Sequence, residues 1–133
     1  MAKAQIRVLP SARNTVMVVD DQSTGRAILE QVVRSLDERV RVEGFARPLD
    51  AVVWATRHVC DLVLVDYMMP DLDGIALSLK VAKDFPSTKI VMMSGYANQR
   101  QRAHNLDFLA HEVISKPFTL EEIIKRVKMA LAG

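Results

Sequence analysis

Cysteine is nearly missing from this chain. Cys60 stands alone among 133 residues, so no internal disulfide can form, and a reducing cytoplasm is the expected compartment. A solitary thiol of this kind is most often a small buried hydrophobe. No apolar run approaches the roughly 18 residues of a membrane span, so no contact with a membrane is expected. An excess of one charge is also missing: the net charge is +2 and scattered, which gives no footprint for direct nucleic-acid binding. Repeats, low-complexity tracts and Gly/Ser linkers are absent, so the length fits one domain with a single substantial core. Residues 1–14 carry Lys3, Arg7 and Arg13 without a continuous apolar segment. They lack the pattern of a signal peptide and are expected to be a flexible arm ahead of a domain over residues 15–133.

What is there is a regular alternation. Thr15–Val19 is an apolar run ending in Asp20-Asp21. Ser23 is placed to cap a helix whose stripe is Ile28, Leu29, Val32, Val33 and Leu36. Residues 40–45 alternate apolar and polar, as an edge strand with one wet face does. Pro48 opens a second helix, with Leu49, Val52 and Val53 expected to face inward. Leu62–Val65 is a buried strand delivering Asp66. Gly74 to about Asp84 is a third helix, stopped at Phe85-Pro86. Residues 89–93 form a fourth strand ending at Ser94-Gly95. A helix over residues 97–108 has little but Ala103 and Leu106 to offer a core, so it is expected to be loosely held. Residues 112–115 form a short fifth strand ending at Lys116-Pro117. Thr119 caps a last helix with Leu120, Ile123, Ile124, Val127 and Leu131 on one face, and Glu121 and Glu122 suit its first turn.

Strands alternating with helices at this spacing imply an α/β fold: a parallel sheet covered on both faces. Right-handed crossovers put all strand C-termini on one side. Four of the five then bring chemistry to one edge: Asp20-Asp21, Asp66, Ser94 and Lys116. Three carboxylates in one pocket repel one another unless a cation compensates. Mg²⁺ suits best, since it takes few carboxylates and keeps room for waters and phosphate oxygens. Lys116 adds a point charge for a phosphoryl oxygen, and Ser94 offers it a hydroxyl. A nucleophilic carboxylate among a metal, an ammonium and a hydroxyl is what phosphoryl transfer demands. Asp71 reads as exposed, and Asp73 beside Gly74 as a turn and helix-start residue.

Asp20-Asp21, the run Asp66-x-x-Met69-Pro70-x-x-Asp73-Gly74, Ser94 and Lys116-Pro117-Phe118 together resemble the signature of bacterial two-component response-regulator receiver domains. The resemblance covers Thr15 to about Leu131. It implies a (βα)5 three-layer sandwich, flavodoxin-like, with strand order 2-1-3-4-5. It implies that Asp66 accepts a phosphoryl group from a phosphohistidine of a sensor histidine kinase or histidine phosphotransfer protein. Asp20, Asp21, Asp66 and the backbone carbonyl of Met68 would hold Mg²⁺. Lys116, before a cis bond to Pro117, would contact the phosphoryl oxygens, and Ser94 would move towards them.

Two positions depart from the family pattern. Val113 stands where an aromatic usually swings inward on activation, so Tyr96 is a candidate substitute in the switch. Leu109 stands where glycine commonly precedes the fifth strand. The fourth helix, fifth strand and last helix are expected to form the face that meets an output domain or a second copy. Met68 and Tyr96 flank Asp66 with bulk, which suggests slow loss of phosphate. A regulatory acceptor is therefore expected, not a turnover enzyme. An aspartate-nucleophile phosphatase would need a second acid where Gln22 stands. A flavin module would need a hydroxyl-rich loop where Asp20-Asp21 would repel the phosphate.

Overall fold

Valine-rich runs become the strands of the sheet: β1 (Thr15–Val19), β2 (Arg41–Phe45), β3 (Leu62–Asp66), β4 (Lys89–Ser94) and β5 (Glu112–Ser115). The computed structural model describes residues 14–66, 74–94, 112–115 and 119–132. All pairings are parallel and the order is β2-β1-β3-β4-β5, as expected of a doubly wound sheet. Every residue of β3 is buried, because parallel strands are covered on both faces. Alternate side chains feed two cores. Met17, Val19, Val63 and Val65 pack on one face with Leu77 and Val81. Val16, Val18, Leu62 and Leu64 pack on the other with Leu29, Val33, Ile123 and Val127. Truncating a side chain as enclosed as Leu64 to alanine costs about 2–5 kcal/mol.

The helices are α1 (Ser23–Arg34), α2 (Pro48–Ala55), α3 (Gly74–Asp84) and a C-terminal helix (Leu120–Ala132). No helix among the described residues is long and apolar enough to cross a membrane. The C-terminal helix starts as its sequence predicts. Thr119 Oγ1 accepts the Glu122 N–H at 3.1 Å while Glu122 Oε1 accepts the Thr119 N–H at 3.1 Å, a reciprocal capping box. At the end of α3 the Phe85 N–H still reaches the Val81 carbonyl at 2.8 Å, and Pro86 cannot continue the ladder.

Four expectations need correction. Gln22, not Ser23, is the N-cap of α1 and makes no side-chain cap bond; the preceding turn is held instead by Asp20, whose Oδ1 accepts the Gln22 N–H at 2.9 Å. Ile28, placed in the inward stripe of α1, is exposed. In α2, Leu49 and Val53 face solvent at 52% and 57% exposure, and the buried stripe is Pro48, Ala51, Val52 and Ala55. That helix is largely apolar on every side, so hydrophobicity sets no phase, and its two buried alanines pack into the core with Met17 and Val63. Leu120 likewise stands exposed at the first turn of its helix.

Residues 1–13, Met68, Asp71, Asp73, Tyr96, the expected helix over 97–108, Leu109, Lys116 and the bond to Pro117 lie outside the described residues, as do the side chains of Ser94 and Val113.

Candidate functional site

The register of the two central strands builds the site. Val19 of β1 pairs with Val65 of β3, so the next residue of each, Asp20 and Asp66, emerges at neighbouring positions. Carboxylate oxygens of Asp20, Asp21 and Asp66 all lie within 4.8 Å of one another. Asp20 and Asp66 are 4% and 8% exposed, while Asp21 is open to solvent. Two acids thus form a floor and the third forms the mouth. Oxygen donors alone, all of them hard and anionic, are the set that a hard divalent cation such as Mg²⁺ takes. Their mutual repulsion in a part-buried pocket favours such an ion further.

Asp20 is held on several sides. Its N–H donates to the Phe45 carbonyl at 3.1 Å, tying it to the end of β2. Its Oδ1 accepts the Gln22 N–H, and its own carbonyl accepts from Arg26 Nη1 at 2.9 Å. Arg26 is in turn paired with Glu30 at 3.6 Å one turn further along α1. Gly25 matters here through close approach: a Cβ at that position would sit 3.2 Å from Asp20 Oδ2. Neither Arg26 nor Gly25 was singled out from the sequence. The available signal was their position in the first turns of α1, directly after the paired acids.

At β4, Met93 pairs with Asp66, so the backbone of Ser94 reaches the same edge one residue further on. Ser94 pairs with Ser115 of β5, and Met92 with Val113. The structure thus brings together Asp20, Asp21 and Asp66 by their side chains and Ser94 by its backbone. Met68, Tyr96 and Lys116 are not among the residues it describes.

The chain is similar to known proteins. The family described as response regulator receiver domain matches residues 16–128. The DNA-binding transcriptional regulator NtrC of Azospirillum brasilense is 32% identical over 117 residues, covering 88% of this chain and 24% of that protein. The cyclic di-GMP phosphodiesterase response regulator RpfG of Xanthomonas campestris pv. campestris is 28% identical over 114 residues, covering 84% and 30%. The crystal structure of a CheY-like response regulator receiver domain protein from Methanospirillum hungatei superposes with a TM-score of 0.80 at 25% identity, covering 90% of this chain and 94% of that one. The chain spans less than a third of the length of these two curated relatives.

Proposed function

We propose, since this chain belongs to the response regulator receiver domain family, that it is a regulatory phosphoacceptor in which Asp66 takes a phosphoryl group from a phosphohistidine of a sensor histidine kinase or histidine phosphotransfer protein. The observation that carries this reading is the meeting of the Asp20, Asp21 and Asp66 carboxylates at the ends of β1 and β3. An oxygen of Asp66 attacks phosphorus, the P–N bond to the donor imidazole breaks, and the imidazole leaves with a proton from solvent. Asp20, Asp21, Asp66 and the Met68 main-chain carbonyl would hold Mg²⁺, which supplies charge neutralisation for the transferred oxygens.

The remaining groups position and report. Asp20 is fixed through its backbone by Phe45 and Arg26, so the acid pair keeps its place while the donor arrives past exposed Asp21. Lys116 and Ser94 contact the phosphoryl oxygens, Lys116 as a point charge and Ser94 as a hydroxyl donor. Ser94, Tyr96 and Val113 form the switch between inactive and active conformations. Residues 97–108, β5 and the C-terminal helix present the face that meets an output domain or a second copy. Phosphate is lost slowly, because Met68 and Tyr96 exclude the attacking water. A cytoplasmic location fits the lone thiol and a phosphohistidine donor.

Incubating the protein with Mg²⁺ and acetyl phosphate and weighing it intact tests the reading. The mass should rise by one phosphoryl group, and chelating the metal should prevent the gain. A protein whose mass does not change under these conditions would refute the proposal.

A further inference from the structure

The opposite edge of the sheet holds a cavity that the acid cluster does not use. Its volume is about 440 Å³, within the range of about 300–1,000 Å³ usual for small-molecule sites. Two segments line it, residues 55–60 and residues 85–88. The first leads from α2 into β3 and the second from α3 into β4.

Most of the hydrogen-bonding groups here are already engaged. Thr88 Oγ1 donates to the Cys60 carbonyl at 2.7 Å, Thr56 Oγ1 to the Val53 carbonyl at 2.6 Å, and the Cys60 thiol to the Leu62 carbonyl at 3.2 Å. His58 Nδ1 is bonded to the Trp54 carbonyl at 2.9 Å, and its ring is stacked on the indole at 4.1 Å. What these groups leave facing the cavity is mainly apolar, from Ala55, Cys60, Phe85 and Pro86. Val59, beside them, is 84% exposed with nothing packed over it.

Ser87, an exposed neutral hydroxyl, is one exception, and the charged Arg57 is the other. No carboxylate engages its guanidinium among the described residues, and no acidic residue lines the cavity. An apolar hollow with one delocalised, planar cation and no counter-charge matches a ligand with an apolar body and a single carboxylate. A phosphate ester would call for further cations, and no lysine lines the site. An amine would meet Arg57 with like charge. The chain's own residues 1–13 carry Lys3, Arg7 and Arg13 and no acid, so they are mismatched for the same reason.

We infer that this cavity binds a small amphipathic monocarboxylate, an aryl or medium-chain alkyl acid, with its carboxylate on Arg57 and its apolar body against Val59, Phe85 and Cys60. The test uses the full chain, isotopically labelled, titrated with octanoate and in parallel with octylammonium while amide and methyl shifts are followed by NMR. Octanoate should give saturable shifts confined to residues 55–60 and 85–88, and octylammonium should not. Arg57→Gln should weaken octanoate about tenfold, the worth of one charged hydrogen-bond pair. Val59→Asp, at a fully solvated position, should weaken it as well. Both side chains are exposed, so neither change threatens folding, and the acid cluster at the other edge plays no part in the readout. Absence of saturation at millimolar octanoate would overturn the inference. So would equal binding of octylammonium, unchanged affinity in Arg57→Gln, or shifts centred on residues 1–13.

Discussion

At the start of β3, Asp61 turns its carboxylate back onto the chain and accepts the Thr15 N–H at 2.7 Å. At the end of the same strand, Asp66 sets its carboxylate beside two others. The first aspartate accepts a backbone hydrogen bond and pins two strands together. The second stands in a group whose like charges oppose folding and call for an external cation. Thr88 and Cys60 repeat the pattern of Asp61, each spending its polar atom on a neighbouring carbonyl. One sheet therefore uses single polar groups for cohesion at one edge and gathers three carboxylates within 4.8 Å of one another at the other. The cost of the second arrangement is borne by the enclosed core between the edges.

The contrast can be broken at either end. The largest effect is expected at the acid edge: Asp66→Asn should abolish labelling by acetyl phosphate, read by intact mass. The same change should leave the melting temperature equal or higher, since one of three mutually repelling charges is removed. Labelling that survived would place the acceptor on another side chain.

Cys60 provides the next effect, through pH. Burial pushes its thiol from 9.0 up to about 11. The unfolded thiol ionises first, so the stability tied to the protonated group is whole below pH 9 and is lost as pH rises through 11. Two pH units correspond to about 3 kcal/mol. In urea unfolding, the advantage of wild type over Cys60→Ala should shrink by that amount between those pH values; parallel profiles would show that the thiol is not shielded.

Asp61→Ala comes third. It leaves the Thr15 N–H without its partner and should cost about 2 kcal/mol in urea unfolding, while acetyl phosphate labelling in native buffer stays unchanged. Loss of labelling in the folded variant would mean that the two edges are not separable.

The smallest effect, and the one that sharpens the contrast most, is Gly25→Ala. Alanine in the first turns of α1 should stabilise the fold by about 0.5–1 kcal/mol. Its Cβ, 3.2 Å from Asp20 Oδ2, should at the same time weaken Mg²⁺ binding measured by calorimetry. Stability and metal affinity would then move in opposite directions through one methyl group.

Much of this was legible in the sequence. The bounds of β1, β3, β5 and α3 follow from apolar runs and their Gly, Pro and Asp punctuation, and topology then fixes where Asp20, Asp21 and Asp66 meet. The phase of α2 was not legible, because Leu49, Val52, Val53 and Trp54 offer apolar surface in every direction and only packing against the sheet decides between them. The start of α1 was misread for a different reason. Ser23 has the right chemistry for a cap, but the Asp20 side chain already organises that turn. The cavity left no trace, since its two lining segments are far apart in sequence and built from ordinary turn residues.

Trp54, the only tryptophan in the chain, lies between the two edges. Its indole leans on Phe45 with ring centroids 5.9 Å apart, and the Phe45 carbonyl is the one that receives the Asp20 N–H. The same indole carries the stacked imidazole of His58, at the rim of the cavity. Excited at wavelengths beyond tyrosine absorption, the protein thus emits from a single indole touching both halves of the molecule. Its intensity and colour register an event at either end without an added dye, and substitutions at Phe45 or His58 would silence one channel at a time.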